Sequence, residues 1–425
     1  MNRYLYILLF FFTVTAQHAS AQLLRGRDVC YDKDIKSIQL HKLNGELTDP
    51  VIELSSDEKL LLTFDDLSNS GRYLIYRITL CDADWSESNL PVSDYISGFP
   101  EDNIDQFSSS FNTYVDYLNY SLTLPNERMG FIRPGSYLLK VFATDNPDSL
   151  LFQKSFSVVE TSPQLFVQSQ VRAVPLAGNP DCSQQLEFSL SHSKMIIQNP
   201  HTEVKVRIGQ NGHRVPQTPT PSVSFIRNEV IDYSMYNKNV YMGNAEFRSF
   251  DITSLEYRSL NVRKIEVVDD VPHVLLDEDT PNRQYTSQKD LNGRYVIRNQ
   301  RYTDNSNTES EYAQVHFRLR VNAPYKGNLY LFGELTNWEL TNRYVMLYNS
   351  RWQCYELTLP FKQGYYSYRY VLVNEKGEVD FGIVDGCSNE AENVYGIYVY
   401  HHGLADRSDK LINVTFIKSQ GSIGK

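Results

Sequence analysis

No long segment of this 425-residue chain carries a 3.6-residue hydrophobic period, so helices are expected to be few and short. No G-x-S-x-G, no P-loop and no dinucleotide-binding glycine pattern is present, which removes the common locally encoded catalytic sites. A general acid and base drawn from distant residues would leave no such trace. Once strands are assigned, however, no segment is left over to house a catalytic domain. The reading is a protein that is not an enzyme, with no catalytic residue, no cofactor and no metal.

Cysteine is scarce. The five residues Cys30, Cys81, Cys182, Cys354 and Cys387 include no C-x-x-C, and the odd count leaves at least one unpaired. Intra-domain pairs Cys30–Cys81 and Cys354–Cys387 are open to an oxidising compartment, and buried free thiols are the alternative. Eight histidines follow residue 21, none at the spacing of a zinc helix and none beside a cysteine pair. Asp65-Asp66 and Asp82-Ala83-Asp84 are close acidic pairs, but neither has the glycine and further carboxylates of a calcium loop. They read as solvated turn acids. The formal charge of −10 argues against nucleic acid and against an anionic membrane surface.

Long apolar runs are absent except at the start. Arg3, the apolar stretch Tyr4 to Thr15 and the small-residue site Ala19-Ser20-Ala21 form a cleaved signal peptide over 1–21. The stretch is too short to span ~30 Å of hydrocarbon. The mature chain is therefore expected to be exported and soluble, with no transmembrane segment of its own.

What is abundant is tyrosine (30) and phenylalanine (21), in alternating patterns. Leu74, Tyr76, Ile78 and Leu80 form one apolar strand face, and Gly135 to Thr144 with Leu150 to Val159 flank a turn at Asp145 to Asp148. Ala313, Val315, Phe317, Leu319 and Val321 make the clearest strand. Polar breaks at Thr161-Ser162-Pro163 and Asp304 to Ser310 divide the chain. The fold expected is all-β: three consecutive β-sandwich domains, immunoglobulin-like or early-set, over 22–160, 161–305 and 306–425. Short linkers give a rod whose neighbouring domains touch.

One further absence is local. Between Arg77 and Arg128 there is no Lys or Arg, while nine acids and eight aromatics fall in the interval. Asp84, Trp85, Tyr95, Phe99, Glu101, Asp102, Asp105, Phe107 and Phe111 are the candidate partner-binding residues, the aromatics as anchors and the acids as uncompensated charge facing a basic rim. The other reading is a loop folded back on its own domain, with Trp85 and Phe111 filling the core.

In the third region, Gly333-Glu334-Leu335-Thr336-Asn337-Trp338 is similar to the opening of glycogen-binding modules, which are early-set sandwiches. Trp352 and Gly364 to Tyr368 fall in matching order. The resemblance implies architecture first. It leaves as the alternative function a glycan-binding periplasmic protein with Trp338 and Trp352 as an aromatic platform.

A fuller resemblance covers nearly the whole mature chain. Its residues are Tyr31 to His41, Leu62-Thr63-Phe64-Asp65-Asp66-Leu67, Cys81-Asp82-Ala83-Asp84-Trp85 and Tyr95 to Phe99. Ser110-Phe111-Asn112-Thr113, Leu124-Pro125-Asn126-Glu127, Gly135 to Val141 and Asn244 to Asp251 continue it, with Asp290 to Gly293 and Asp406 to Ile412. In this order and spacing the chain resembles the plug protein family of the bacterial type IX secretion translocon. It departs from the pattern at Leu80, where a histidine is common, and at His213-Arg214, where an aromatic is expected. The resemblance implies a non-enzymatic plug in the periplasm, peripheral to the inner face of the outer membrane, that seals the periplasmic mouth of an outer-membrane translocon β-barrel and is monomeric within that complex.

Overall fold

The computed structural model describes residues 28–68, 70–174, 181–193, 195–212, 220–281, 285, 287–300 and 305–419. The signal-peptide reading over 1–21 and the departure at His213-Arg214 lie outside them. The described chain is built almost wholly of strands in antiparallel sheets, with only single-turn helices such as Pro200–Glu203 and Ser306–Glu309. The all-β expectation holds.

The first sandwich faces two sheets across one core. One sheet runs in the order Val29–Cys30, Asn146–Val159, Gly135–Ala143, Leu74–Cys81 and Glu101–Asn103. The other runs Ile35–Lys42, Leu60–Asp66, Leu118–Leu124 and Gln106–Ser109. Alternation does its work here: Leu74, Tyr76, Ile78 and Leu80 all enter the core, beside Leu62, Phe64, Tyr137, Leu139 and Phe156. The hairpin turn also forms, with a bulge at Val141/Phe142.

The other two sandwiches are not consecutive. Strand Val204–Gln210 pairs with Val394–His401, which pairs with Lys410–Lys418. These close one core with Leu186, Phe188, Leu190 and Ile231. The remaining core runs from Phe250 to Val384. Strands Arg248–Asp251 and Tyr295–Ile297 pair with Gly364–Val373. Strand Val271–Leu276 lies parallel to Tyr312–Arg320. The third sandwich is thus inserted into the second, and the boundary expected at 305/306 is crossed by three sheets. Alternation reveals which side chains face inward, but not which distant strand lies beside them.

Cysteine pairing follows the insertion. Cys182 and Cys387 form a disulfide with Cα atoms 5.1 Å apart, tying the second sandwich to the end of the third. Cys30, Cys81 and Cys354 are buried free thiols. Neither of the possible intra-domain pairs forms, and the free-thiol alternative holds for these three. Burial pushes the Cys30 thiol up to about 11 and the Cys81 thiol up to about 12, so both stay protonated and unreactive.

The first sandwich touches both others, so the arrangement closes on itself instead of extending as a rod. An apolar joint of Val51, Ala83, Val159, Tyr398, Tyr400 and Leu411 seats it on the second. Against the third, the Cys30 amide donates to Glu339 Oε1 at 2.7 Å, and Arg294 pairs with Asp49 at 3.0 Å.

Candidate partner-binding surface

The strand Leu74–Cys81 delivers the chain to a tight turn in which the Trp85 amide donates to the Asp82 carbonyl at 2.8 Å. Trp85 sits at φ 65° and buries its ring against Cys81 and Leu138. Asp84 caps the same turn by accepting from the Ser86 amide at 3.0 Å. Asp82 accepts from the Asp409 amide at 2.8 Å, and the Ala83 amide donates to Asp409 Oδ2 at 2.9 Å. Lys205 reaches Asp409 Oδ1 at 2.8 Å and His402 Nδ1 lies 2.8 Å from the same oxygen. Burial, more than the nearby Asp409, raises the Asp82 carboxyl above its ordinary range. Asp82 and Ala83 therefore form the seam between first and second sandwiches, Trp85 is packed within the first sandwich, and Asp84 remains exposed in the turn. Tyr95 is buried as well, its ring 6.2 Å from that of Tyr137.

Beyond Tyr95 the chain reaches the open edge of the first sandwich. Gly98 lies at φ 87°, and a Cβ there would stand 2.1 Å from the Arg128 carbonyl oxygen. Only glycine fits, and its fit lets strand Ile96–Gly98 pair closely with Met129–Phe131. The next residues form edge strands of both sheets in turn: Glu101–Asn103 against Leu74–Cys81, then Gln106–Ser109 against Leu118–Leu124. Ile104 is the buried corner between them. Phe99 is 60 % exposed and Phe107 54 %.

The acids of this edge are not uncompensated. Glu101 pairs with Arg77, and Arg128 reaches Asp102 at 2.8 Å and Asp105 at 3.7 Å. Glu87 pairs with Lys140. The two arginines that bound the basic-free interval fold back over it, because strand pairing places Arg77 opposite Glu101. A gap in the sequence is no gap in space.

The stretch after the edge docks on the third sandwich. The Phe111 amide donates to the Thr308 carbonyl at 2.9 Å. The Tyr114 and Val115 amides donate to the Glu311 carboxylate, and the Tyr117 hydroxyl donates to the Ser310 carbonyl at 2.8 Å. Their backbones are held while the Phe111 ring, 70 % exposed, and the Tyr114 ring, 66 % exposed, point outward. Phe111 does not fill the core.

Beneath this seam lies a buried ion pair. Lys362 Nζ is 2.7 Å from Asp65 Oδ2, which also accepts from the Tyr312 hydroxyl at 2.6 Å. Asn119 Nδ2 donates to Asp65 Oδ1 at 2.7 Å, and the Lys362 ammonium stands 4.1 Å above the Tyr117 ring. Burial holds the Lys362 ammonium below its ordinary pKa against the opposing pull of Asp65. Asp66 in turn pairs with Arg72 at 2.8 Å. Asp65 and Asp82 are therefore held in seams and Asp66 in an ion pair of the first sandwich, while Asp84 is the solvated turn acid expected.

Of the nine candidate residues, Asp84, Phe99, Glu101, Asp105, Phe107 and Phe111 are exposed. Asp102 is mostly covered beside Arg128, and Trp85 and Tyr95 are buried in the first sandwich. Sequence reading missed Asp409, Lys362, Tyr312 and Glu311 as the groups that complete the seams. Asp409 and Asp65 had stood in motifs that carried the family resemblance, and those motifs prove to be largely inter-domain seams. In the third sandwich, Trp338 is packed edge-on against Phe332 at 5.4 Å and Phe247 at 6.2 Å. Trp352 is exposed, with the Arg351 guanidinium 5.2 Å from its ring.

Residues 35–160 match the family described as type 9 secretion system plug protein, 1st domain. A crystal structure of a hypothetical protein from Parabacteroides merdae ATCC 43184 is similar over 93 % of this chain and 100 % of that one, at 28 % identity and a TM-score of 0.87. No curated protein matches.

Proposed function

The chain belongs, by its first domain, to the type IX secretion plug family, and from that premise we propose that it binds and seals the periplasmic mouth of the outer-membrane translocon barrel without catalysing a reaction. A pore wide enough for folded cargo leaks solutes unless blocked. Blocking requires a rigid body and a reversible contact, and no chemistry. The observation that carries this reading is the exposed edge of the family domain, where Phe99, Phe107 and Phe111 are more than half exposed and Glu101 and Asp105 are exposed as well. Aromatic anchors with a charged rim are the composition of a protein contact surface. The buried seams support it too, since they join three sandwiches into one frame that transmits a load. Among the described residues no helix is long and apolar enough to cross a membrane, which fits attachment through a partner. We place the protein in the periplasm, as one copy per barrel.

The test is co-purification from detergent-solubilised outer membrane. Tagged wild-type protein should recover a very large β-barrel protein, and the F99S/F107S/F111S variant should fold normally but recover far less. Equal recovery by the variant moves the contact to another face. Absence of any barrel from the wild-type preparation overturns the plug reading itself.

A further inference from the structure

Strand Lys410–Lys418 is an edge that is half covered and half open. It pairs with Val394–His401 on one side only. On its other side the Glu160 amide donates to the Leu411 carbonyl at 3.0 Å and the Ser162 amide to the Ile412 carbonyl at 2.9 Å. The covering segment stops there, because the Leu165 amide folds back on the Ser162 carbonyl at 3.2 Å and turns the chain away. Further along, the Ser419 amide donates to the Asn393 carbonyl at 2.8 Å, toward Val394–His401. Alternation points Ile417 and Thr415 the same way and turns the amides and carbonyls of Val414 and Phe416 outward. Among the described residues these outward groups have no hydrogen-bond partner.

An open edge is normally blunted by a charge or a proline. Asn413 to Ile417 contains neither, and Phe416 is 44 % exposed. Beside the edge lies a cleft of about 640 Å³ where the three sandwiches meet. Val51, Val159, Val394, Val414 and Phe416 give it an apolar lining. Its charges are already matched. Lys42 pairs with Glu58 at 2.6 Å, Arg294 with Asp49 at 3.0 Å and Lys418 with Glu392 at 3.1 Å. Glu53 accepts from the Thr161 amide at 2.7 Å, and Asp290 accepts from the Phe247 and Asn292 amides.

We propose that the open half of this edge and the cleft beside it take an extended, uncharged peptide segment of a partner protein, added as one more strand of the second sandwich. The outward main-chain groups ask for a strand, since an extended backbone presents its own donors and acceptors at their spacing. Glu160 to Ser162 already lies along the first half of the same edge in this way, and the peptide continues that contact. A charged side chain finds no free counter-ion in the cleft, so the lining selects apolar ones. The site shares no residue with the Phe99, Phe107 and Phe111 edge and does not depend on the barrel contact.

The probe is the fluorescein-labelled, end-capped peptide TVTFTVT, titrated with the purified protein up to about 1 mM and followed by anisotropy. Binding should saturate, and hydrogen exchange should show new protection of residues 413–418. F416P removes an outward donor at an edge position where proline is tolerated, so the variant should fold and bind about tenfold or more weakly. The same peptide N-methylated throughout keeps its side chains, loses every main-chain donor and should not bind. Absence of saturable binding overturns the proposal. Equal binding by F416P or by the N-methylated peptide overturns strand addition, and so does protection confined to other strands. Should F416P fold poorly, the N-methylated peptide decides with the wild-type protein alone.

Discussion

Asp65 and Lys362 are 297 residues apart in sequence and 2.7 Å apart in space, both wholly buried at the seam between the first and third sandwiches. Removing one partner leaves a charge with no counter-ion in a dry site. K362M should therefore cost about 3–5 kcal/mol. The paired variant D65N/K362M should recover a good part of that loss. Calorimetric Tm values of the three proteins check it; a single variant no less stable than the double would mean that solvent reaches the seam.

Glu339 gives the same seam a pH response. Burial pushes its carboxyl up to about 7, against the opposing pull of the Cys30 amide and Arg343. A carboxyl raised in the folded state contributes stability that is complete below its unfolded value near 4.5 and fades as pH rises through about 7. E339Q keeps an oxygen for the Cys30 amide but cannot ionise. The Tm of E339Q relative to wild type should rise between pH 5 and pH 8. A constant difference across that range would exclude this group as the source.

The Cys182–Cys387 bridge closes a span of 205 residues. Its removal in C182S/C387S should lower stability by about 2–5 kcal/mol, by enlarging the freedom of the unfolded chain. Dithiothreitol should lower the wild-type Tm in the same direction and leave the variant unmoved. Disulfides of this kind persist in oxidising compartments, which agrees with export.

At the open edge, charge and aromaticity have separate consequences. Reversing Glu101, Asp102 and Asp105 to Lys sets three ammonium groups against Arg77 and Arg128, so the Tm should fall modestly. The F99S/F107S/F111S variant touches rings that are more than half exposed, Phe107 alone resting on the buried Tyr120 ring, and should lower the Tm only slightly. A fall in barrel recovery with the Tm little changed assigns the anchor role to the rings. A large Tm loss in the aromatic variant would return them to the core.

Core positions offer a plainer check on the inward faces. Ile78 and Phe317 are 3 % and 1 % exposed, and replacing either by Ala should cost about 2–5 kcal/mol. A thermal shift near zero at either position would place that strand face outward.

Much of this was legible before any coordinates. Strand faces such as Leu74 to Leu80 and Ala313 to Val321 follow from period-2 alternation, because burial on one side leaves a direct trace in composition. Partnership between remote segments leaves none. Nothing local in Val394 to His401 reveals that it pairs with Val204–Gln210, and nothing in Cys182 names Cys387. The candidate surface was half legible for the same reason. The aromatic content of residues 78–127 was plain, yet Trp85 and Tyr95 are sealed by strands far along the chain. The missing positive charge is supplied by Arg77 and Arg128 at the interval's own borders.

The insertion of the third sandwich into the second also fixes an order of events. Strands laid down from Val204 onward cannot complete their sheet until Val394–His401 and Lys410–Lys418 arrive, near the very end of the chain. The third sandwich has all its strands by Asp380 and is free to close first. The middle of the molecule is therefore the last part to finish during assembly, and cutting the chain anywhere between the two crossings forfeits two domains at once.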